Sequence, residues 1–398
     1  MKYSPAFGLL VCLASAALVV PVRAHAQVTG DVSATAQFES NSNVFDLQSG
    51  FAPQANNDTR RSDTDLSYGA NFDLHYLAGR QDFSLTGGVN QYEYQHFTQL
   101  NNTSYHFDAG LLWKLGEALD GKVDIARTRA MVPFFDLTGT GEQLSLVTTQ
   151  TESLQIGYKL NSDWKLEGTA NTSKTEQPIV GSPDLQQTQR GGTLAIEYQS
   201  VGGLTSGLTA GYSTGDYGGS IGTNNPTYSQ STIGFLTSYK VNRMTYEGQI
   251  GYTRRSSDTG DNNSSGLTGL LDLKYQLTPK TSFTAKIDRS INSYFLNTSS
   301  EIDTEAGVGV TWQATYKLSV TAGYTFTYRD YPGQATNTVS GDRVDIQELA
   351  NLAMLYSPRP WLVIKPYANL QTRRSTFPGG DFNGTVFGVS ITATPWKH

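Results

Sequence analysis

Cysteine is nearly missing from this 398-residue chain: the one thiol, Cys12, lies in the first apolar stretch. Disulfide frameworks and cysteine chemistry are excluded from everything that follows it. Histidine is scarce as well, at five residues. Long apolar runs are also absent. After residue 26 no segment approaches the roughly 18 apolar residues of a transmembrane helix. Basic charge is in deficit, with 29 Lys and Arg against 35 Asp and Glu. Setting aside Lys2 and Arg23 within residues 1–26 leaves 27 against 35, a net charge of −8. That sign is wrong for a nucleic-acid partner, whose phosphates call for cations.

The first residues carry an address. Lys2 supplies a positive start, Ala6 to Val20 an apolar stretch, and Ala24-His25-Ala26 a small-residue cleavage pattern. Residues 1–26 are therefore expected to be a secretory signal peptide, and 27–398 the mature protein. A membrane anchor is the alternative, but the run is too short and ends at Pro21 and Arg23. Cys12 is followed by further apolar residues, which argues against a lipid-anchored amino terminus. The remaining 372 residues (398 − 26) show no linker or shift of composition, and Gly (40) and Tyr (22) are spread throughout. One long architecture fits better than several domains.

What the chain does contain is a repeated turn. The stretch YKLNSDWKLEG, Tyr158 to Gly168, has a cousin in YQLTPKTSFTA, Tyr275 to Ala285. An aromatic residue precedes each short breaker at Tyr76, Trp113, Tyr158, Tyr198, Tyr239, Tyr275, Trp312 and Tyr356. The intervals are 37, 45, 40, 41, 36, 37 and 44 residues. Between breakers lie two alternating stretches joined by a longer polar loop. Leu66, Tyr68, Ala70, Phe72, Leu74 and Tyr76 form one such apolar parity, and Leu267 to Leu277 and Leu318 to Tyr328 form two more. Period two over 11 residues predicts strand, and a tilted strand needs about 9–11 residues to cross a bilayer.

A period near 40 also suits a propeller, but each blade needs four short strands. Two long strands with alternating short and long connections are the pattern of an outer-membrane barrel. The aromatics beside the short turns then form a periplasmic girdle, apolar body in lipid and polar edge in water. Eight short turns separate nine hairpins. The expected fold is all-β: a single transmembrane antiparallel up-and-down β-barrel of about 18 strands, with short periplasmic turns and long extracellular loops. Sixteen strands is the alternative, because VDIQELANLAMLY, from Val344, also supports a helical turn.

The parity opposite the apolar one predicts the pore lining: Asp73, Asp108, Asp124, Glu167, Glu197, Glu247, Asp272, Lys274, Lys286, Asp288, Glu305 and Arg329. Charge rings of one sign set selectivity in pores. This set is mixed with an acidic excess, so a mild cation preference is expected, and a neutral or weakly charged cargo.

Catalytic patterns are missing. Of the histidines after residue 26, His75 has the inward parity, His96 and His106 flank a polar loop, and His398 is terminal. No nucleophile or acid signature accompanies them, and polar surface residues are the better reading. No enzyme, cofactor or metal site is expected. Asn56-Asn57-Asp58 and Asp261-Asn262-Asn263 lack the full spacing of a calcium loop. Gly215-Asp216-Tyr217-Gly218-Gly219 reads as a flexible loop. Arg254-Arg255 and Arg373-Arg374 read as rim residues, either solvated or in contact with lipopolysaccharide.

NSNVF (Asn41 to Phe45), SDTDLSYGANFDLHYLAGRQDFSLTGGVNQYEYQHF (residues 62–97) and LLWKLGEALDGKVDIARTRAMVPFFDL (residues 111–137) resemble a known family. It is the beta-barrel porin type 2 family of exopolysaccharide operons, EpsL-like. The markers are Asn43-Val44-Phe45, Gly79-Arg80-Gln81, Trp113 and Leu119-Asp120-Gly121, and the likeness is best over residues 30–170. The resemblance implies a barrel in the outer membrane of a Gram-negative bacterium that helps a secreted polysaccharide leave the cell. It also implies outer-membrane lipid and lipopolysaccharide, the barrel-assembly machinery, and polysaccharide export and synthesis proteins as partners. A nutrient-uptake porin and a structural or adhesive barrel remain the alternatives.

Overall fold

A computed structural model describes residues 27–51, 53, 59–134, 143–178, 184–218, 227–258, 263–293, 300–336 and 339–397. The expected signal peptide, Asn56 to Asp58, Asp261, Asn262 and His398 lie outside the described residues. The described residues form eighteen strands: β1 (Gln27–Asn41), β2 (Asp63–Ala78), β3 (Gln81–Tyr94), β4 (Asn102–Leu115), β5 (Leu119–Met131), β6 (Leu146–Lys159), β7 (Trp164–Gln177), β8 (Leu185–Gln199) and β9 (Leu204–Gly218), followed by β10 (Thr227–Val241), β11 (Met244–Ser257), β12 (Ser264–Thr278), β13 (Thr281–Ser293), β14 (Ser300–Thr315), β15 (Leu318–Thr336), β16 (Val339–Arg359), β17 (Leu362–Ser375) and β18 (Phe382–Lys397). Each pairs antiparallel with its sequence neighbours, and β1 pairs with β18, so one sheet closes on itself. This is an up-and-down barrel without free edges. Among the described residues no helix is long and apolar enough to cross a membrane.

The local reasons are those of hairpins. Gly79 (φ 64°) and Asn242 (φ 47°) take the left-handed conformation that a two-residue turn demands between long strands. The eight short breakers all lie between an even-numbered strand and the next odd one. VDIQELANLAMLY is strand, inside the 21-residue β16, so the count is eighteen. Cross-strand pairing overrides its local helical preference.

Four strands that follow short turns, β7, β11, β15 and β17, begin at the apolar residues Trp164, Met244, Leu318 and Leu362. Strands descending from long loops begin before their apolar parity does: β8 starts at Leu185, while its apolar alternation starts at Leu194. There the ladder of backbone hydrogen bonds continues after the apolar parity has ended. Gly215 to Gly218 accordingly belong to β9 and are not a loop, and Gly219 lies outside the described residues.

At the long-loop end, the β1–β2, β3–β4 and β5–β6 connections build a small apolar cap. Val44, Phe45, Phe97, Leu100 and Phe134 are buried together, with Tyr94 and Met131 packed against them. Phe45 meets Phe97 and Phe134 edge-on, at 4.7 and 4.9 Å between ring centroids. Asn43 fastens the cap: its side-chain amide donates to the carbonyls of Leu47 (2.9 Å) and Asn383 (3.0 Å) and accepts from the Leu47 N–H (3.0 Å). Asp63 fastens the facing loop by accepting the N–H groups of His96 and Phe97.

Candidate functional site on the polar inner face

Residues directly opposite each other in a ladder share a face. Asp73 stands opposite Thr86, and Thr86 opposite Asp108. Glu247 stands opposite Asp272, Asp272 opposite Lys286, and Asp288 opposite Glu305. Carried around the closed sheet, the register puts all twelve residues expected on the pore wall on one face. These are Asp73, Asp108, Asp124, Glu167, Glu197, Glu247, Asp272, Lys274, Lys286, Asp288, Glu305 and Arg329. The opposite face carries the exposed apolar side chains, among them Leu66, Leu194, Ile233, Leu267 and Leu271. Tyr76, Trp113, Tyr158, Tyr198, Tyr239, Tyr275, Trp312 and Tyr356 all share that apolar face, close to the short turns.

The inner charges gather in two groups. On β5 and β7, Lys165 reaches Asp120 (3.1 Å) and Glu167 (3.0 Å), with Lys122 on Asp124 (2.8 Å). Lys165 lies flat across β6 because Gly157 leaves room; a Cβ there would collide with its stem. On β12 to β14, Lys286 meets Glu305 (3.1 Å) and Lys274 approaches Asp272 (3.6 Å). Asp120, Lys122 and Lys165 were missed in the sequence, although each has the same parity as a residue that was named. His75 stands 3.3 Å from both Asp73 and Asp82 on this face.

Nearer the long loops the same face is buried. Asp345 receives Arg343 (2.9 Å) and Arg373 (2.5 Å). Arg329 lies 3.5 Å from Asp303. Arg255 stacks 3.5 Å from the Tyr228 ring centroid and donates to the Tyr217 hydroxyl (3.1 Å). The expectation that both basic pairs sit on the rim is thereby corrected. Arg373 and Arg255 point inward and are buried, whereas Arg374 and Arg254 point outward and are exposed. Alternation forces consecutive residues onto opposite faces.

A second outer band also escaped notice. Tyr68, Tyr105, Tyr212, Tyr252, Tyr324 and Tyr328 share the apolar face toward the loop end. Tyr68 precedes Tyr76 by eight residues, which is about 20 Å of height at usual strand rise and tilt. That is close to the height of an outer-membrane apolar band. The signal was present, as a tyrosine eight residues loopward of a turn aromatic at Tyr68 and again at Tyr105.

Closed antiparallel strands, one apolar and one charged face and aromatics at both rims define a β-barrel of the outer-membrane kind. Residues 241–394, from the end of β10 into β18, match the sequence model of a family described as "Putative beta-barrel porin 2". That is the opposite part of the chain from residues 30–170, where the likeness of motifs was noted. Among solved structures, the FrpB iron transporter of Neisseria meningitidis is similar in fold. Its F5-1 apoprotein gives a TM-score of 0.51 at 14% identity, over 88% of this chain and 62% of that one. The F3-3 variant gives 0.50 at 13% identity, over 89% and 63%. The chain thus spans less than two thirds of the length of these transporters. No curated protein matches it.

Proposed function

We propose that the protein is a passive conduit across the bacterial outer membrane, with a secreted exopolysaccharide as its cargo. The observation that carries this reading is the division of one closed wall into an apolar outer face and an inner face of paired, half-exposed charges. A hydrated polymer slides past such a wall because every polar group it leaves has another partner nearby. Acidic side chains outnumber basic ones on the inner face, which supports a mild cation preference and a neutral or weakly charged glycan. The family match in the second half of the barrel agrees with a porin. Exposed cations on the outer face near the loops, such as Arg127, Arg254 and Arg374, suit contact with lipopolysaccharide phosphates.

Planar-bilayer conductance of the purified barrel, with reversal potentials, tests the channel; modest cation selectivity is expected and strong anion selectivity defeats it. A deletion strain assayed for secreted polysaccharide tests the cargo. The likeness in fold to an iron transporter supports a second reading, uptake of a small solute. Undiminished secretion combined with lost growth on a particular solute would select that reading.

A further inference from the structure

Five adjacent strands bring a single row of residues together on the inner face. Tyr367 on β17 is opposite Gly388 on β18, Gly388 is opposite Glu39 on β1, Glu39 is opposite Asp65 on β2, and Asp65 is opposite Tyr94 on β3. The ring of Tyr367 lies across Gly388, where a Cβ would collide with it, and its hydroxyl donates to Glu39 Oε2. Gln37 donates to the same oxygen (3.3 Å), so among the described residues both donors use Oε2.

Asp65 is only 6% exposed. Among the described residues the charged groups acting on it are Glu39 and Asp63, both acidic, and the donor at its carboxylate is its own backbone N–H. Asp63 is committed elsewhere, to the amides of Thr64, His96 and Phe97. Two carboxylates directly opposite each other in a ladder repel, and a buried carboxylate without a cation is costly. Elsewhere on this face the buried Asp345 is met by two arginines. The Glu39–Asp65 pair departs from that rule beside three tyrosines, Tyr92, Tyr94 and Tyr367.

We propose that Glu39, Asp65 and these tyrosines form a recognition site for an ammonium group carried by a sugar, that is, for amino-sugar units of a passing glycan. Carboxylates supply the opposite charge, and tyrosine faces attract cations through their π-systems. Tyr367 already has one such neighbour, the Lys365 ammonium 5.9 Å from its ring centroid. A metal ion suits the row less well: with Asp63 engaged only two carboxylates remain, and among the described residues no group of three or more ligating side chains stands together. The inference rests on the transport reading and sharpens it by naming a cargo chemistry.

Calorimetric titration of the full-length barrel in detergent tests the site without requiring transport. The probes are glucosamine tetramer, its fully N-acetylated counterpart and calcium chloride. Glucosamine tetramer should bind at least tenfold more tightly than the acetylated one. Glu39→Gln should lower its affinity at least tenfold, and Asp65→Asn likewise, while Glu117→Gln in a short turn leaves it unchanged. If Asp65→Asn does not fold by heat-modifiable migration, the half-exposed Glu39→Gln decides alone. Equal affinity for both tetramers, indifference to Glu39→Gln, or Glu39-dependent calcium binding in place of amine binding each overturns the site. Absent conductance with amine selectivity intact would instead remove the conduit and leave the site standing.

Discussion

Toward the short turns, Lys274 keeps 66% of its side chain exposed beside Asp272, and Asp73 keeps 56%. Toward the long loops, Arg373 and Asp345 on the same inner face are each 2% exposed. The two regions use one type of interaction under opposite solvation. Water screens the first pairs, which contribute little. Burial makes the second group depend on every partner being present, because removing one leaves a desolvated charge. The wall around Asp272, Lys274 and Asp73 is thus open and forgiving, and the seam around Asp345 is packed and tolerates little.

Breaking the seam should have the largest effect. Asp345→Ala strands Arg343 and Arg373, and should lower unfolding stability by about 3–5 kcal/mol, read as a drop in the heat-modifiable gel transition. The matched change in the open half, Asp272→Ala, should cost under about 1 kcal/mol. Equal costs would abolish the contrast. The outer face sharpens it from another direction. Leu271→Arg should cost about 2–4 kcal/mol and impair assembly, whereas Asp272→Arg, one residue along and facing inward, should be tolerated. Folded yield in a vesicle refolding assay separates the two.

Asn43→Ala has a smaller expected effect. It removes the amide that ties the cap to Leu47 and Asn383, at a cost of about 1–3 kcal/mol, and proteolysis of the β1–β2 connection should speed up while the barrel remains protected. Sidedness carries no energetic signature at all. Single cysteines at Ser162, Pro279 and Arg359, all at short turns, should resist an impermeant thiol reagent added to intact cells. Labelling at Pro279→Cys would reverse the orientation.

Most of the wall was legible in the sequence because period two is a strong signal wherever one face must be apolar. Leu267 to Leu277 and Leu318 to Tyr328 could be assigned to a face from their spacing alone. That Asp272 and Lys286 share the polar parity followed from the same rule, and the register sets them directly opposite each other. Less could be read where the apolar parity stops. The stretches Thr148 to Ser153 of β6 and Gln186 to Thr193 of β8 are without large apolar residues on either face, so only backbone pairing shows that they are strand. The cap was illegible for a different reason. Asn43, Phe97 and Phe134 lie far apart in the chain, and no local pattern announces that they meet. The Tyr367-Gly388-Glu39-Asp65-Tyr94 row is hidden in the same way, since it runs across five strands and three of its residues come from the extreme ends of the described chain.

The pairing of β1 with β18, in which Phe38 meets Val389 and Ala36 meets Ile391, has a consequence for how the molecule is made. Every other ladder joins near neighbours and can form as the chain emerges. This one spans some 350 residues, and loop-closure entropy opposes such contacts until late in folding. Until β18 arrives, the outer edges of β1 and β17 are bare backbone, ready to pair with any other extended chain. The time between making the first strand and the last is therefore the interval in which the protein is most open to aggregation. A factor that shields two strand edges at once would shorten it more than one that merely binds apolar side chains.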